Sequence, residues 1–156
     1  MDIPIRNATL DDARQLAVLL QGIGWFEAFN SGDVENSTAR VRARLTQCLA
    51  DPSHSVFVAE WQAGEIAGYG SVHWLPYLFM SGPEGYVSEL FVRESARGRG
   101  VGVKLLANIE AEARARGCQR LSLINLRSRE SYQRRFYIKA GWMERADAAN
   151  FVYSLT

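Results

Sequence analysis

Leu90-Phe91-Val92-Arg93-Glu94-Ser95-Ala96-Arg97-Gly98-Arg99-Gly100-Val101-Gly102-Val103-Lys104-Leu105-Leu106 is the stretch around which the 156-residue chain is organised. A strand-like run, Tyr86 to Val92, passes into a short polar bend, then three glycines on alternate positions, then an amphipathic helix. Glycine costs a helix interior up to ~1 kcal/mol relative to alanine, so glycines clustered at a helix start need a reason. Close backbone approach supplies one. First-turn N–H groups lack intrahelical partners and carry the positive end of the macrodipole, so a phosphate can rest on them where side chains are absent. Arg97 and Arg99 add charge at the same mouth, and the segment Gly98, Arg99, Gly100, Val101, Gly102, Val103 reads as a pyrophosphate cradle.

Spacing narrows the kind of cradle. A G-x-G-x-x-G dinucleotide fingerprint from Gly98 needs glycine where Val103 stands, and from Gly100 it needs glycine at Leu105. A Walker-type loop also fails at Val103, and Lys104 is followed by Leu105 rather than Ser or Thr. Arg97, Gly100 and Gly102 do fit Arg-x-x-Gly-x-Gly, and downstream stands Phe136-Tyr137-Ile138-Lys139-Ala140-Gly141-Trp142. In these two segments the chain resembles the GNAT superfamily of N-acetyltransferases, whose acetyl-CoA loop reads Gln/Arg-x-x-Gly-x-Gly/Ala and whose later motif reads Phe-Tyr-x-Lys-x-Gly-Phe. The resemblance covers roughly residues 84–156; the N-terminal half matches in its order of elements.

Composition is that of an ordinary globular chain, with 47% hydrophobic and 22% charged residues and a formal net charge of +1. One domain, residues 1–156, is expected. The charge balance does not favour a nucleic-acid partner. No run approaches the ~20 apolar residues of a membrane span, and no signal peptide is expected. Cys48 and Cys118 have no metal-ligand spacing, so no metal site is expected, and a reducing, cytoplasmic setting is the default.

Along the chain, Ile3–Arg6 reads as an edge strand bearing Pro4. A helix over 10–21 follows, capped by Thr9 and stopped by Gly22 and Gly24. The connection 25–33 carries Trp25, Phe26 and Phe29, and a second helix spans 37–50. Strands 55–61 and 66–74 form a hairpin, the latter with Gly68 and Gly70 marking a bulge or a close contact. Strand 86–92, the cradle helix 100–116 ended by Gly117, strand 121–125 and a helix 129–140 capped by Ser128 come next. Residues 142–145 and 150–155 read as a C-terminal hairpin. The expected fold is an α/β, GNAT-like three-layer sandwich, with a mixed, mostly antiparallel sheet of about seven strands and about four helices.

The resemblance implies transfer of an acetyl group from acetyl-CoA to a primary amine, by direct attack on the thioester without a covalent enzyme intermediate. It implies that the main chain of Phe91 and Val92 binds the cofactor, that Tyr137 lies near the CoA sulfur as general acid, and that the connection 25–33 lines the acceptor site. Glu89, on a strand facing that site, is the candidate base, with His73 as alternative and His54 less favoured; a bulge would upset the shared face of Glu89 and Phe91. Where many relatives place Asn before Phe-Tyr, this chain has Glu130, and Asn125 is the candidate substitute toward pantetheine. The acceptor is a small-molecule or peptide amine. A homodimer is expected through Tyr77, Phe79 and Tyr153. The alternative is a CoA-binding sensor or partner protein of the same fold without turnover.

Overall fold

The computed structural model describes residues 2–30 and 32–156; Ser31, in the aromatic connection, lies outside the described residues. Contacts divide the chain into two compact units, 1–124 and 125–156.

In the first unit, β1 (Ile5–Asn7), β2 (His54–Glu60), β3 (Ile66–Leu75), β4 (Glu84–Val92) and β5 (Arg120–Leu123) lie side by side in that order. The first three pairings are antiparallel and β4–β5 is parallel, as expected for a mixed sheet. Helices α1 (Ala13–Ile23), α2 (Glu27–Asn30) and α3 (Val34–Cys48) precede β2, and α4 (Val101–Ala115) joins β4 to β5. The edge strand begins at Ile5, after Pro4. A 3-10 turn, Leu10–Asp12, leads into α1, and the Thr9 N–H donates to the Asp12 carboxylate at 2.7 Å. Gly22 lies within α1, and Gly24 ends it at φ 74°. The second helix starts three residues earlier than its apolar spacing predicts, because Asp33 caps it by accepting from the Asn36 N–H at 2.6 Å.

The two sheet faces are built from alternate residues of β3. On one face Val56, Val58, Ile66 and Tyr69 form a buried core with Leu16, Leu20, Val41 and Leu45 of α1 and α3. On the other, Gly68 and Gly70 admit α4. A Cβ on Gly68 would stand 2.7 Å from the Phe91 carbonyl oxygen and 3.2 Å from Val101 Cγ1; one on Gly70 would stand 2.9 Å from Ile109 Cδ1. Close contact is therefore the reason for both glycines, and the bulge on this strand lies at Ala67. At the far end of α4, Arg116 stacks 4.7 Å over the Trp74 ring and donates to the Pro52 carbonyl at 2.8 Å.

The second unit holds α5 (Glu130–Gln133) and α6 (Phe136–Lys139) where one helix over 129–140 was expected. Arg135, at φ 58°, adopts the left-handed conformation and breaks the run, and Arg129 rather than Ser128 holds the cap position. No strand forms among residues 142–156, so the expected hairpin is absent and the described sheet has five strands, not about seven. Phe151, Val152, Tyr153 and Leu155 are 84% or more exposed. Strand propensity measures the fit to a partly buried, pleated surface, and a lone hairpin is marginal in water.

Candidate active site

The central feature is where β4 parts from β5. Their pairing runs only from Glu84–Arg120 to Val87–Leu123. A buried clamp fixes its start: Glu84 is 4% exposed, accepts from Arg120 Nε at 2.8 Å, and bonds Ser122 Oγ. Beyond Val87 no strand among the described residues meets that side of β4. The Arg93 N–H donates to the Ala67 carbonyl at 2.8 Å, which sets the alternation of the antiparallel ladder. Phe91 and Glu89 thus turn their main-chain groups to β3, while Leu90 and Val92 turn theirs to the open side. Of the two predicted backbone contacts, Val92 lies on the open side and Phe91 does not; Leu90 takes its place.

The open edge runs into the predicted cradle. After a 3-10 turn, Glu94–Ala96, Gly98 (φ 74°) and Gly100 (φ 82°) both take left-handed backbone, with open space where a Cβ would stand. Conformation, rather than crowding, therefore demands glycine here. The first intrahelical bond runs from the Lys104 N–H to the Gly100 carbonyl at 3.0 Å. The N–H groups of Val101, Gly102 and Val103 are left as first-turn donors. Arg97 and Arg99 are exposed beside them. Arg99 stacks 5.0 Å over Trp61, so part of its reach is committed to that ring. These residues suit a pyrophosphate bound through backbone donors, with an extended pantetheine arm beside Leu90 and Val92.

On the helix-covered face, the β4 bulge falls at Ser88, since Ser71 pairs with Glu89 and Val72 with Val87. It precedes both Glu89 and Phe91, so these keep a common face. The Tyr69 hydroxyl donates to Glu89 Oε1 at 3.1 Å. Burial, then the Glu89 charge, push the Tyr69 phenol well above its usual range, so it stays protonated and donates to the carboxylate. The Cys48 thiol is pushed up by burial and by the same carboxylate. Phe91 packs with its ring centroid 5.8 Å from Tyr69, 5.8 Å from Trp25 and 5.5 Å from Phe26. His73 lies on this face too, bonded to Ser88 Oγ at 3.1 Å and stacked at 4.0 Å on His54. His54 pairs with Ser71 Oγ at 2.6 Å; burial and the neighbouring His73 lower it to about 4.

Tyr69 was missed because in isolation it is one more strand aromatic; the hairpin register, applied to Glu89 and Phe91, is the signal that identifies it. In the second unit, Tyr137 is half-buried between Phe136 (4.9 Å) and Trp142 (5.9 Å), and burial pushes it up to about 12. Asn125 Oδ1 accepts from Ser131 Oγ at 3.0 Å, so its amide nitrogen is left to donate elsewhere. Tyr132 and Arg127 both donate to Glu144, which holds that carboxyl low.

The family model described as acetyltransferase (GNAT) family matches residues 22–142. The chain is 34% identical over 122 residues to an aminoglycoside N(6')-acetyltransferase type 1 of Stenotrophomonas maltophilia, covering 76% of this chain and 72% of that protein. It is 29% identical over 145 residues to an aminoalkylphosphonate N-acetyltransferase of Salmonella typhimurium, covering 90% and 84%. Among solved structures, a transcriptional regulator from Bacillus halodurans C-125 has the same fold, with a TM-score of 0.83 at 22% identity over 99% of this chain and 100% of that one. The chain belongs to the acetyltransferase (GNAT) family and is an acetyl-CoA-dependent N-acetyltransferase.

Proposed function

We propose that this protein acetylates a small primary amine by direct attack on the thioester, with Glu89 as base and Tyr137 as acid. When bound, acetyl-CoA supplies the activated acetyl group. The amine arrives as an ammonium ion, and Glu89 takes its proton directly or through one water. As the C–N bond forms and the C–S bond breaks, the nitrogen sheds its second proton to water. Main-chain groups of Leu90 and Val92 hold the pantetheine arm, and an N–H there polarises the thioester carbonyl. The first-turn N–H groups of Val101, Gly102 and Val103, helped by Gly98, Arg97, Arg99 and Gly100, hold the pyrophosphate. Asn125 contacts the pantetheine in place of the family's usual asparagine, and the Tyr137 hydroxyl gives its proton to the departing sulfur. Residues 1–156 act as one catalytic domain.

The observation that carries this reading is the edge of β4 beyond Val87, unpaired on one side and leading straight into the left-handed glycines at the head of α4. The names of two relatives, an aminoglycoside N(6')-acetyltransferase and an aminoalkylphosphonate N-acetyltransferase, support a small amine as acceptor. Incubation with acetyl-CoA and a panel of amines, with free thiol as the readout, is the test. Amine-dependent thiol release is expected; tight CoA binding without release from any amine would favour the sensor alternative.

A cytoplasmic location, where acetyl-CoA is supplied, is part of this proposal. Dimerisation is proposed through the β3–β4 loop alone, where Phe79 is 79% exposed and packs on Tyr77 at 5.4 Å. Tyr153 drops out as an edge-strand contact because its segment forms no strand. Sedimentation at tens of micromolar decides this.

A further inference from the structure

We infer that the acceptor is a monoamine with an apolar or aromatic body, rather than a polycation; this rests on the acetyltransferase reading above. Glu89 is half-buried on the helix-covered face of the sheet, and the surface leading from it is aromatic. Tyr69 connects it to Phe91, and Phe91 to Phe26 and Trp25, through ring contacts of 5.5 to 5.8 Å. Trp25 is 44% exposed, so this chain of rings opens to solvent at one end and reaches the carboxylate at the other. Edge-to-face packing of Phe91 against Trp25 and Phe26 fixes the rings relative to one another.

Charge argues the same way. A molecule with several ammonium groups needs several carboxylates to replace the water it loses. Besides Glu89, the connection 25–33 offers Glu27, at the start of α2, and Asp33, whose carboxylate is engaged in capping α3 by accepting from the Asn36 N–H. Helix α3, whose Cys48 end faces Glu89, presents exposed Arg40, Arg42 and Arg44 instead. An acceptor with one amine for Glu89 and an apolar remainder for Trp25 and its neighbours matches this distribution; an aminoglycoside or a polyamine does not.

The test compares phenethylamine and hexylamine with kanamycin and spermidine, with thiol release as the readout and acetyl-CoA saturating. The inference expects kcat/KM for the two monoamines to exceed that for the polycations by about tenfold or more. In Trp25→Ala, KM for phenethylamine should rise about tenfold while kcat and the KM for acetyl-CoA stay within about twofold, as for a lost ring contact outside the reacting atoms. Calorimetry with CoA checks that this variant is folded. Preference for kanamycin or spermidine overturns the inference and leaves the acetyltransferase reading intact. No thiol release with any amine removes both. A folded Trp25→Ala variant with unchanged KM for phenethylamine also overturns the inference.

Discussion

The Tyr69 hydroxyl donates a 3.1 Å hydrogen bond to the Glu89 carboxylate across the β3–β4 ladder. One strand thereby orients the proposed proton acceptor carried by the other, and on that proposal the second carboxylate oxygen meets the incoming amine. Glu89→Gln keeps the shape and removes the base. Turnover should fall by about 10²–10⁴-fold with the KM for acetyl-CoA little changed. The deficit should narrow as pH rises and free amine becomes abundant. A steady-state pH series checks this, and a deficit that stays constant with pH would move the base elsewhere, His73 being the next candidate on that face.

Tyr137 carries a different signature. Burial pushes its phenol up to about 12, so it remains protonated throughout the working range. The gap to a thiol of pKa ~8.5 makes full proton transfer uphill by about 5 kcal/mol in the unliganded protein. In the proposed mechanism the hydroxyl therefore hydrogen-bonds the sulfur as charge builds there and passes its proton late, as the C–S bond breaks. Tyr137→Phe should lower kcat by about 10²-fold or more with acetyl-CoA affinity preserved. The wild type should show no loss of kcat from this group up to pH ~10, because deprotonation begins only nearer 12. Near-normal turnover in the Phe variant removes Tyr137 from the mechanism.

Gly100 links cofactor binding to backbone conformation. At φ 82°, an alanine there costs about 1–2 kcal/mol, though it clashes with nothing. Gly100→Ala should lower Tm by a few degrees and weaken CoA binding together. Gly100→Glu should abolish CoA binding, since its side chain occupies the space over the helix mouth. Calorimetry with CoA and thermal melts on the same samples separate the two effects; full affinity in a folded Glu variant would remove the cradle.

His54 makes stability depend on pH. Its folded-state value, about 4, lies below the usual ~6.5 because burial and the stacked His73 oppose its charge. The unfolded chain therefore binds the extra proton first, and stability falls as pH drops from about 6.5 toward 4. For a ring only half-buried, the loss is about 1–2 kcal/mol after allowance for solvent screening. Urea denaturation at pH 7 and pH 5 should show a larger loss in the wild type than in His54→Gln. Equal losses would mean that other groups set the acid stability.

Much of this was legible in the sequence, for local reasons. The glycines at 98, 100 and 117 mark backbone turns, the apolar spacing of Val101, Leu105, Ile109 and Ala113 marks a helix face, and Gly68 and Gly70 mark a packing site. Each depends on residues within a few positions, or on the absence of a side chain. The elements misjudged lack such marks. Arg135 takes a left-handed conformation that no local residue type announces. The alternation of Phe151, Val152, Tyr153 and Leu155 satisfies a strand pattern, yet a strand exists only where a neighbour accepts its hydrogen bonds. In the site, Glu89 was visible as a carboxylate on the right strand. Its bond to Tyr69 and the exchange of Phe91 for Leu90 on the open edge depend on register, which the pairing with Ala67 decides.

Strand β3 alternates between two tasks: Tyr69 and Ser71 face the α1–α3 side, while Gly68 and Gly70 receive α4. On the function proposed above, parity along one short segment separates the acceptor side of the sheet from the helix that holds the acetyl donor. A side chain at either even position would meet the Phe91 carbonyl or Ile109 and push α4 away, whereas the odd positions touch Glu89 and its neighbours and leave that helix seated.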